Sequence, residues 1–157
     1  MSAPAVYLVR PPSEVEWEEL LVRYEIGPRA FRLALDDAAD ATGEARTRVC
    51  DLMRALVLNE HLTASAFETM RAGGRPADEV PRIEVLPDEP RALYDRYARL
   101  RGRNFAAVQR RGLEVWGWEA DVHPHGRVSA YQLIQASAAL DGETLAAIRL
   151  AARGAGV

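Results

Sequence analysis

Few side chains in this sequence could do chemistry, and two of them are adjacent. Glu60 and His61 lie together in a largely apolar stretch from Leu52 to Leu62. Carboxylates and imidazoles can bind divalent metals and act as general acids or bases. A buried glutamate must be paired or protonated, because burial of an isolated charge is unfavourable. Helical periodicity predicts that one of the two side chains faces the interior, and it leaves open which one.

The other reactive residue types form no second cluster along the chain. His123 and His125 lie in a stretch rich in proline and glycine, which favours an exposed or capping role. Cys50 has no histidine close to it in sequence, so a small buried hydrophobe is favoured over a nucleophile. Gly73-Gly74 is not followed by the Lys-Ser/Thr pair of a phosphate-binding loop. We therefore predict no catalytic and no metal-ligating residues.

Composition excludes several classes of protein. The 157 residues fit one domain spanning 1–157, and a hydrophobic share of 48% with 27% charged residues is typical of a folded soluble protein. A net charge of −3 argues against a nucleic-acid or membrane-surface partner. No stretch reaches the roughly 18–20 apolar residues of a membrane span. The first ten residues also lack the pattern of a signal peptide, so we expect a cytoplasmic protein.

Proline and glycine residues divide the sequence into helical segments. Ser13 is an expected N-cap with Glu14 and Glu16 in the first turn, and Gly27-Pro28 should bend or split the helix that follows. The stretch 114–127 is predicted as a loop. The predicted helices cover about residues 14–40, 44–71, 91–112 and 128–153.

Four helices of this length predict an all-α four-helix bundle. The short link between the first two helices predicts antiparallel neighbours. The link between the second and third helices is long enough to return along the bundle, so they should run parallel. We therefore expect an up-down-down-up order with a long crossover between helices 2 and 3.

Helical periodicity predicts the inner faces of the last two helices. Helix 3 carries an apolar stripe that includes Asn104, flanked by arginines at positions 96, 99, 103 and 110, which we interpret as a solvated flank. The inner line of helix 4 is Leu133, Ser137, Leu140, Thr144, Ile148 and Ala151. Thr144 is an isolated polar member of that line. With Glu60 and His61 it forms the predicted inner-face binding pocket.

Two segments resemble signatures of the DinB/YfiT-like superfamily. The stretch from Val57 to Ala64 is similar to that family's second-helix signature, in which a histidine followed by leucine lies in an apolar helix. The stretch from Leu140 to Ile148 is similar to its fourth-helix pattern, His-Asp-x-x-His-Leu-x-x-Ile. The resemblance covers about residues 14–153. It implies the same bundle and, in many members, a divalent metal held by three histidines.

This sequence departs from the family pattern at the metal ligands. His61 matches the first histidine, whereas Leu140 and Thr144 stand at the positions of the other two. Leucine cannot bind a metal and threonine is a poor neutral ligand. We therefore expect a family member that has lost its metal site and needs no cofactor. Its expected role is binding of an unidentified small molecule or a stress-associated function, without catalysis.

Two further expectations concern alternatives and partners. The alternative function is a metal-dependent thiol-transferase or hydrolase that binds Ni²⁺ or Zn²⁺ through substitute ligands, such as Glu60, His123 or His125. Family members often pair, and a small domain with three tryptophans has apolar surface to bury. We therefore expect a homodimer.

Overall fold

The computed structural model describes residues 12–73, 85–123 and 126–155. It is mostly helical, as predicted, with a small two-stranded sheet that was not predicted. The long helices are α1 (Glu14–Asp37), α2 (Gly43–Arg71), α3 (Pro90–Arg111) and α4 (Ala130–Ala155). A 3-10 helix (Gly112–Gly117) and the strands β1 (Glu119–Val122) and β2 (Gly126–Ser129) connect α3 to α4. Within the described ranges, no helix is both long and apolar enough to cross a membrane.

The start of α1 follows directly from its sequence. The Ser13 hydroxyl accepts a hydrogen bond from the Glu16 backbone N–H, and the Glu16 carboxylate accepts one from the Ser13 N–H. This capping box satisfies two backbone donors, and the acidic first turn complements the helix dipole. The N-cap prediction at Ser13 is therefore confirmed.

The hairpin corrects the prediction of a loop over 114–127 and of a helix beginning near 128. The two strands pair antiparallel, with Ala120 opposite Val128 and Val122 opposite Gly126. Ala120, Val122 and Val128 are buried. Ser129 and Gln132 then form a second reciprocal capping pair, so α4 begins at Ala130. Alternation over only four residues per strand is too short a pattern to outweigh the surrounding proline and glycine.

The helix packing also differs from the expected arrangement of neighbours. Helix α1 packs against α3 and α4, and α2 packs against the same two helices. Within the described residues α1 and α2 do not pack side by side, so the prediction that they are neighbours is wrong. The five-residue link 38–42 can reach about 17 Å, enough to cross the diagonal of a bundle whose adjacent axes lie about 10 Å apart.

The core consists of two apolar clusters at opposite ends of the bundle. The hairpin cluster joins the N-terminal halves of α1 and α4 to the C-terminal halves of α2 and α3 and to the hairpin; its central members are Trp17, Leu20, Phe67, Val108, Val128 and Ile134. The distal cluster joins the opposite halves of the four helices; its central members are Phe31, Met53, Leu56, Leu93, Tyr97 and Ile148. Each helix contributes polar or small residues where the two clusters meet.

Candidate functional site

A set of polar side chains separates the two clusters at the centre of the bundle. We call this set the polar layer; it consists of Tyr24, Glu60, Tyr97, Arg101, Asn104 and Asp141. It includes one side chain from each of α1, α2 and α4 and three from α3. Arg101 is 1% exposed and Glu60 is fully buried, so the layer places charged side chains in the solvent-excluded interior of the bundle.

Arg101 donates hydrogen bonds from all three of its side-chain nitrogens. Nε donates to Glu60 Oε1 at 2.7 Å, and Nη2 lies 2.7 Å from the same oxygen. Nη1 and Nη2 donate to the two oxygens of Asp141 at 2.7 and 2.9 Å, a bidentate pair. Nη1 also donates to the Tyr24 backbone carbonyl at 2.9 Å. These contacts use the full donor capacity of the guanidinium, which favours the charged form despite its burial.

The two carboxylates receive further hydrogen bonds from neutral side chains. The Tyr97 hydroxyl donates to Asp141 Oδ1 at 2.7 Å. The Tyr24 hydroxyl donates to Glu60 Oε2 at 3.0 Å, and Asn104 Nδ2 donates to the same oxygen at 2.9 Å. One guanidinium therefore neutralises one of two negative charges, and hydroxyl and amide donors compensate for the lost hydration of the other.

The Gly27-Pro28 dipeptide of α1 creates the space that Arg101 and Asp141 occupy. Pro28 has no N–H, so the carbonyl of Tyr24, four residues earlier, loses its helical partner. Arg101 supplies the missing donor to that carbonyl. A Cβ atom at Gly27 would lie 2.4 Å from Asp141 Oδ2 and 2.9 Å from Arg101 Nη1. The helix is not split here, because the arginine replaces the lost hydrogen bond.

Aromatic rings hold the guanidinium from two sides. Its Cζ atom lies 4.2 Å from the centroid of the Tyr24 ring and 5.2 Å from that of the Tyr97 ring. Both distances are within the range of cation–π attraction. The rings exclude water from Arg101, and their hydroxyls extend to the carboxylates that it binds.

The surroundings shift the proton equilibria of the layer. Burial, together with the negative charge of Glu60, raises the pKa of Tyr24 well above its usual value. Burial also raises the pKa of Tyr97, and the nearby Asp141 contributes in the same direction. Burial alone would lower the pKa of Arg101, but its hydrogen bonds to Asp141 and the charge of Glu60 raise it overall. The layer therefore holds neutral tyrosines beside a permanently charged arginine.

The structure resolves the alternative between Glu60 and His61. Glu60 faces the interior and belongs to the polar layer, whereas His61 is half-buried on the adjacent face of α2. His61 Nε2 is shielded from solvent and has no hydrogen-bond partner among the described residues. Thr144 is buried on α4. No hydrogen bond among the described residues joins it to the polar layer, so the three predicted pocket residues do not form one hydrogen-bond network.

Sequence reasoning missed Arg101 and Asp141, the two residues on which the layer depends. Arg101 lies four residues after Tyr97 and three before Asn104, so helical spacing places it within the predicted apolar stripe of α3. The inner line of α4 was drawn through Leu140, but Asp141 is the buried residue and Leu140 is only half-buried. In both helices the available signal was a charged residue at or next to a position predicted to face inward. It was missed because arginine and aspartate are usually exposed.

The other candidate residues lie outside this layer. His123 is exposed in the turn after β1, and His125 falls outside the described residues. Cys50 is buried, and burial raises the pKa of its thiol. Arg99, Arg103 and Arg110 are exposed and Arg96 is half-buried. In the described ranges, no group of three or more His, Cys, Asp or Glu residues is placed to hold a metal ion.

A groove of about 700 Å³ runs between α1 and α4 and reaches the edge of the polar layer. Gly27 and Asp141 are among its lining residues, and the Asp141 side chain is 10% exposed. Its apolar lining includes Leu20, Ile26, Phe31, Ala138 and Leu145, and its charged lining comprises Glu16, Glu19, Arg23, Asp141 and Glu143. Acidic groups therefore outnumber basic ones around an apolar surface.

Comparison with known proteins gives no match for this chain among family models, curated proteins or solved structures.

Proposed function

We propose that this chain is a metal-free, DinB-like helical-bundle protein that binds a small molecule and is not an enzyme. The observation that carries this proposal is the position of Arg101. Its guanidinium occupies the bundle centre and is bound by both interior carboxylates, Glu60 and Asp141. An internal cation therefore stands between the carboxylates that could otherwise serve as metal ligands.

The donor set at the centre does not fit a divalent metal. A metal ion there would have to displace Arg101 from Glu60 and Asp141, or else lie within a few ångströms of its positive charge. Both alternatives are unfavourable. A buried guanidinium that loses its carboxylate partners carries a large electrostatic penalty, and like charges repel strongly in a site that excludes water.

The groove between α1 and α4 is the ligand site that we propose. It combines an apolar lining with the carboxylates of Glu16, Glu19 and Glu143, against one arginine, Arg23. This lining favours a small organic cation with an apolar body, since the amine would meet the acidic rim and the body would cover the apolar floor.

The same proposal includes the finer features expected from the sequence. The membership of the two apolar clusters supports the up-down-down-up order, because N-terminal halves of α1 and α4 join C-terminal halves of α2 and α3. A homodimer, a cytoplasmic location and a stress-associated role also belong to this proposal.

Elemental analysis tests the metal-free part. Protein purified without chelator and then incubated with excess Ni²⁺ or Zn²⁺ should retain a metal-to-protein ratio near zero. Its thermal unfolding should be the same with and without EDTA. A ratio near one that falls in His61→Ala would overturn the proposal.

A fluorescent amine tests the groove. Dansylcadaverine, which joins an apolar ring system to a primary amine, should bind more tightly than neutral dansylamide. Ala139→Arg places a positive charge in the groove and should weaken binding of the amine at least tenfold. Ala146→Arg, on an exposed position of α4 outside the groove, is the matched control and should bind normally. Equal binding of the amine by both variants would refute the assignment of this groove.

A metal-dependent enzyme remains the second candidate, favoured by one observation. His61 Nε2 is buried without a hydrogen-bond partner among the described residues, and such a nitrogen is available to a ligand. A thiol-transferase or hydrolase of this kind would need Glu60 or a loop histidine as a further ligand, and Glu60 is bound to Arg101. The elemental analysis separates this candidate from the first.

A further inference from the structure

The outer face of α1 carries four large apolar side chains that the described part of the molecule leaves uncovered. Val15, Val22, Ile26 and Leu33 are 64%, 55%, 46% and 71% exposed. The opposite face of the same helix is buried in the two apolar clusters. A surface helix normally carries one apolar face, so a second one indicates an interaction surface.

These four residues belong to a regular seam. With Glu19 and Arg29 they occupy positions 15, 19, 22, 26, 29 and 33, whose spacing alternates between four and three residues. This is the a/d spacing of a coiled coil, and all six side chains are exposed. The seam extends over about 27 Å of helix, at 1.5 Å per residue.

The seam is complementary to itself when it is reversed. Three pairs lie symmetrically about residue 24, at distances of nine, five and two positions: Val15 with Leu33, Glu19 with Arg29, and Val22 with Ile26. In an antiparallel pair of identical helices centred on that residue, each seam residue meets its symmetry partner. Apolar side chains then face apolar ones, and each glutamate faces an arginine.

We propose that the outer face of α1 is a homodimer interface in which two copies of α1 pack antiparallel. Two-fold symmetry makes every contact occur twice, so the pair contains four apolar layers and two Glu19–Arg29 layers. Glu18 and Arg32 lie on the same flank of the seam, six positions before and eight positions after residue 24. In the pair they are therefore offset by two positions, about 3 Å along the helix, which leaves them within reach of a second opposite-charge contact. This interface rests on the homodimer of the proposed function and specifies its surface; Glu19 and Ile26 belong to both the seam and the lining of the groove.

The charged positions of the seam favour an antiparallel pair over a parallel one, and they favour a second copy of this chain as the partner. In a parallel pair Glu19 would face Glu19 and Arg29 would face Arg29, so both polar layers would repel. A partner unrelated in sequence would have no reason to match the order of apolar, acidic and basic positions in reverse. The helix supplies that reversed order itself.

Sedimentation equilibrium over a range of concentrations tests the interface. The wild type should be a dimer, whereas Val22→Lys should be a monomer at the same concentrations, because it places a charge against Ile26 of the other copy. Leu150→Lys is the matched control: Leu150 is 68% exposed on α4, away from the seam, and its variant should remain a dimer. A monomeric wild type, or a Val22→Lys variant that dimerises normally, would overturn the proposal.

A charge exchange tests the register. Glu19→Arg and Arg29→Glu should each weaken dimerisation about tenfold or more, since each places like charges in both polar layers. The double variant exchanges the two signs and should recover most of the wild-type affinity. Circular dichroism should show equal helicity for all three variants, because both positions are exposed. Additive losses in the double variant would contradict the antiparallel pairing.

Discussion

The two ends of the bundle and its centre are equally shielded from solvent, but the ends are filled with apolar side chains and the centre with polar and charged ones. The distal cluster buries Met53 and Leu56 at 0% and 1% exposure, and the polar layer buries Arg101 at 1%. In the cluster each side chain contributes through its own apolar contacts. In the polar layer each group is stable only because a named partner satisfies it.

This difference predicts different responses to substitution. Removal of an apolar side chain leaves a cavity whose effect is confined to its neighbours. Removal of one member of the polar layer leaves the remaining charges buried without compensation, which is more damaging than the loss of one contact. The layer should therefore behave as a unit, and the clusters as a sum of contacts.

The largest expected effect is that of Arg101→Met. The variant leaves Glu60 and Asp141 buried without a cation, so we expect it to lower the free energy of unfolding by about 3–5 kcal/mol. Denaturant unfolding followed by circular dichroism measures the change. Arg103→Met, two residues along α3 and exposed, is the control and should stay within about 0.5 kcal/mol of wild type.

A second substitution shows whether the loss comes from charge. Adding Asp141→Asn to Arg101→Met removes one of the two uncompensated carboxylates. The double variant should be more stable than Arg101→Met alone, although each single change destabilises the wild type. Simple addition of the two losses would show that the layer does not act as a unit.

A smaller effect is expected from glycines in two helices. Gly27→Ala places a methyl group 2.4 Å from Asp141 Oδ2, so we expect a loss of about 3 kcal/mol, at the upper end of the range for overpacking. Gly142→Ala, on the facing helix, meets no atom within 4 Å beyond its own stretch of helix and should raise stability by about 0.5–1 kcal/mol through helix propensity. Thermal unfolding of the two variants gives the comparison.

The two substitutions are expected to change stability in opposite directions, which a general effect of alanine on helices would not produce. Both glycines lie inside helices, so propensity alone would make both variants more stable. If Gly27→Ala were as stable as Gly142→Ala, the close approach of Asp141 to α1 would not be needed for the fold.

The sequence predicted the apolar parts of the molecule better than the polar layer. Spacing of apolar residues predicted four helices and the buried positions of Ser137, Thr144 and Ile148. Burial of Glu60 was one of two alternatives, since its neighbour His61 fits the same stretch of helix. Periodicity predicts which positions face inward, but it does not tell which charged residues will find partners there, because those partners come from other helices.

Gly27-Pro28 also shows that a local sequence pattern cannot predict a partner from a distant part of the chain. The dipeptide was expected to bend or split a helix, and Pro28 does remove a backbone hydrogen bond from it. Whether a helix continues through a proline depends on what else satisfies the free carbonyl. Here the donor is Arg101, 77 residues later in the chain, and no local pattern could predict it.

The smallest expected effect is a dependence of stability on alkaline pH. Burial raises the pKa of Tyr97 and of Tyr24 above the ordinary value of 10.0. Above about pH 10 the unfolded chain therefore loses these protons while the folded chain keeps them, so stability falls as pH rises and is unaffected at lower pH. Each tyrosine contributes at most about 1.4 kcal/mol per pH unit. Tyr97→Phe should reduce the slope between pH 10 and 11 by up to that amount, as measured by urea unfolding at each pH.

Absorbance at 295 nm should show fewer ionised tyrosines in the folded than in the urea-unfolded chain at pH 11. An unchanged slope in Tyr97→Phe would mean that Tyr97 ionises in the folded protein as freely as in water, which the hydrogen bond to Asp141 argues against.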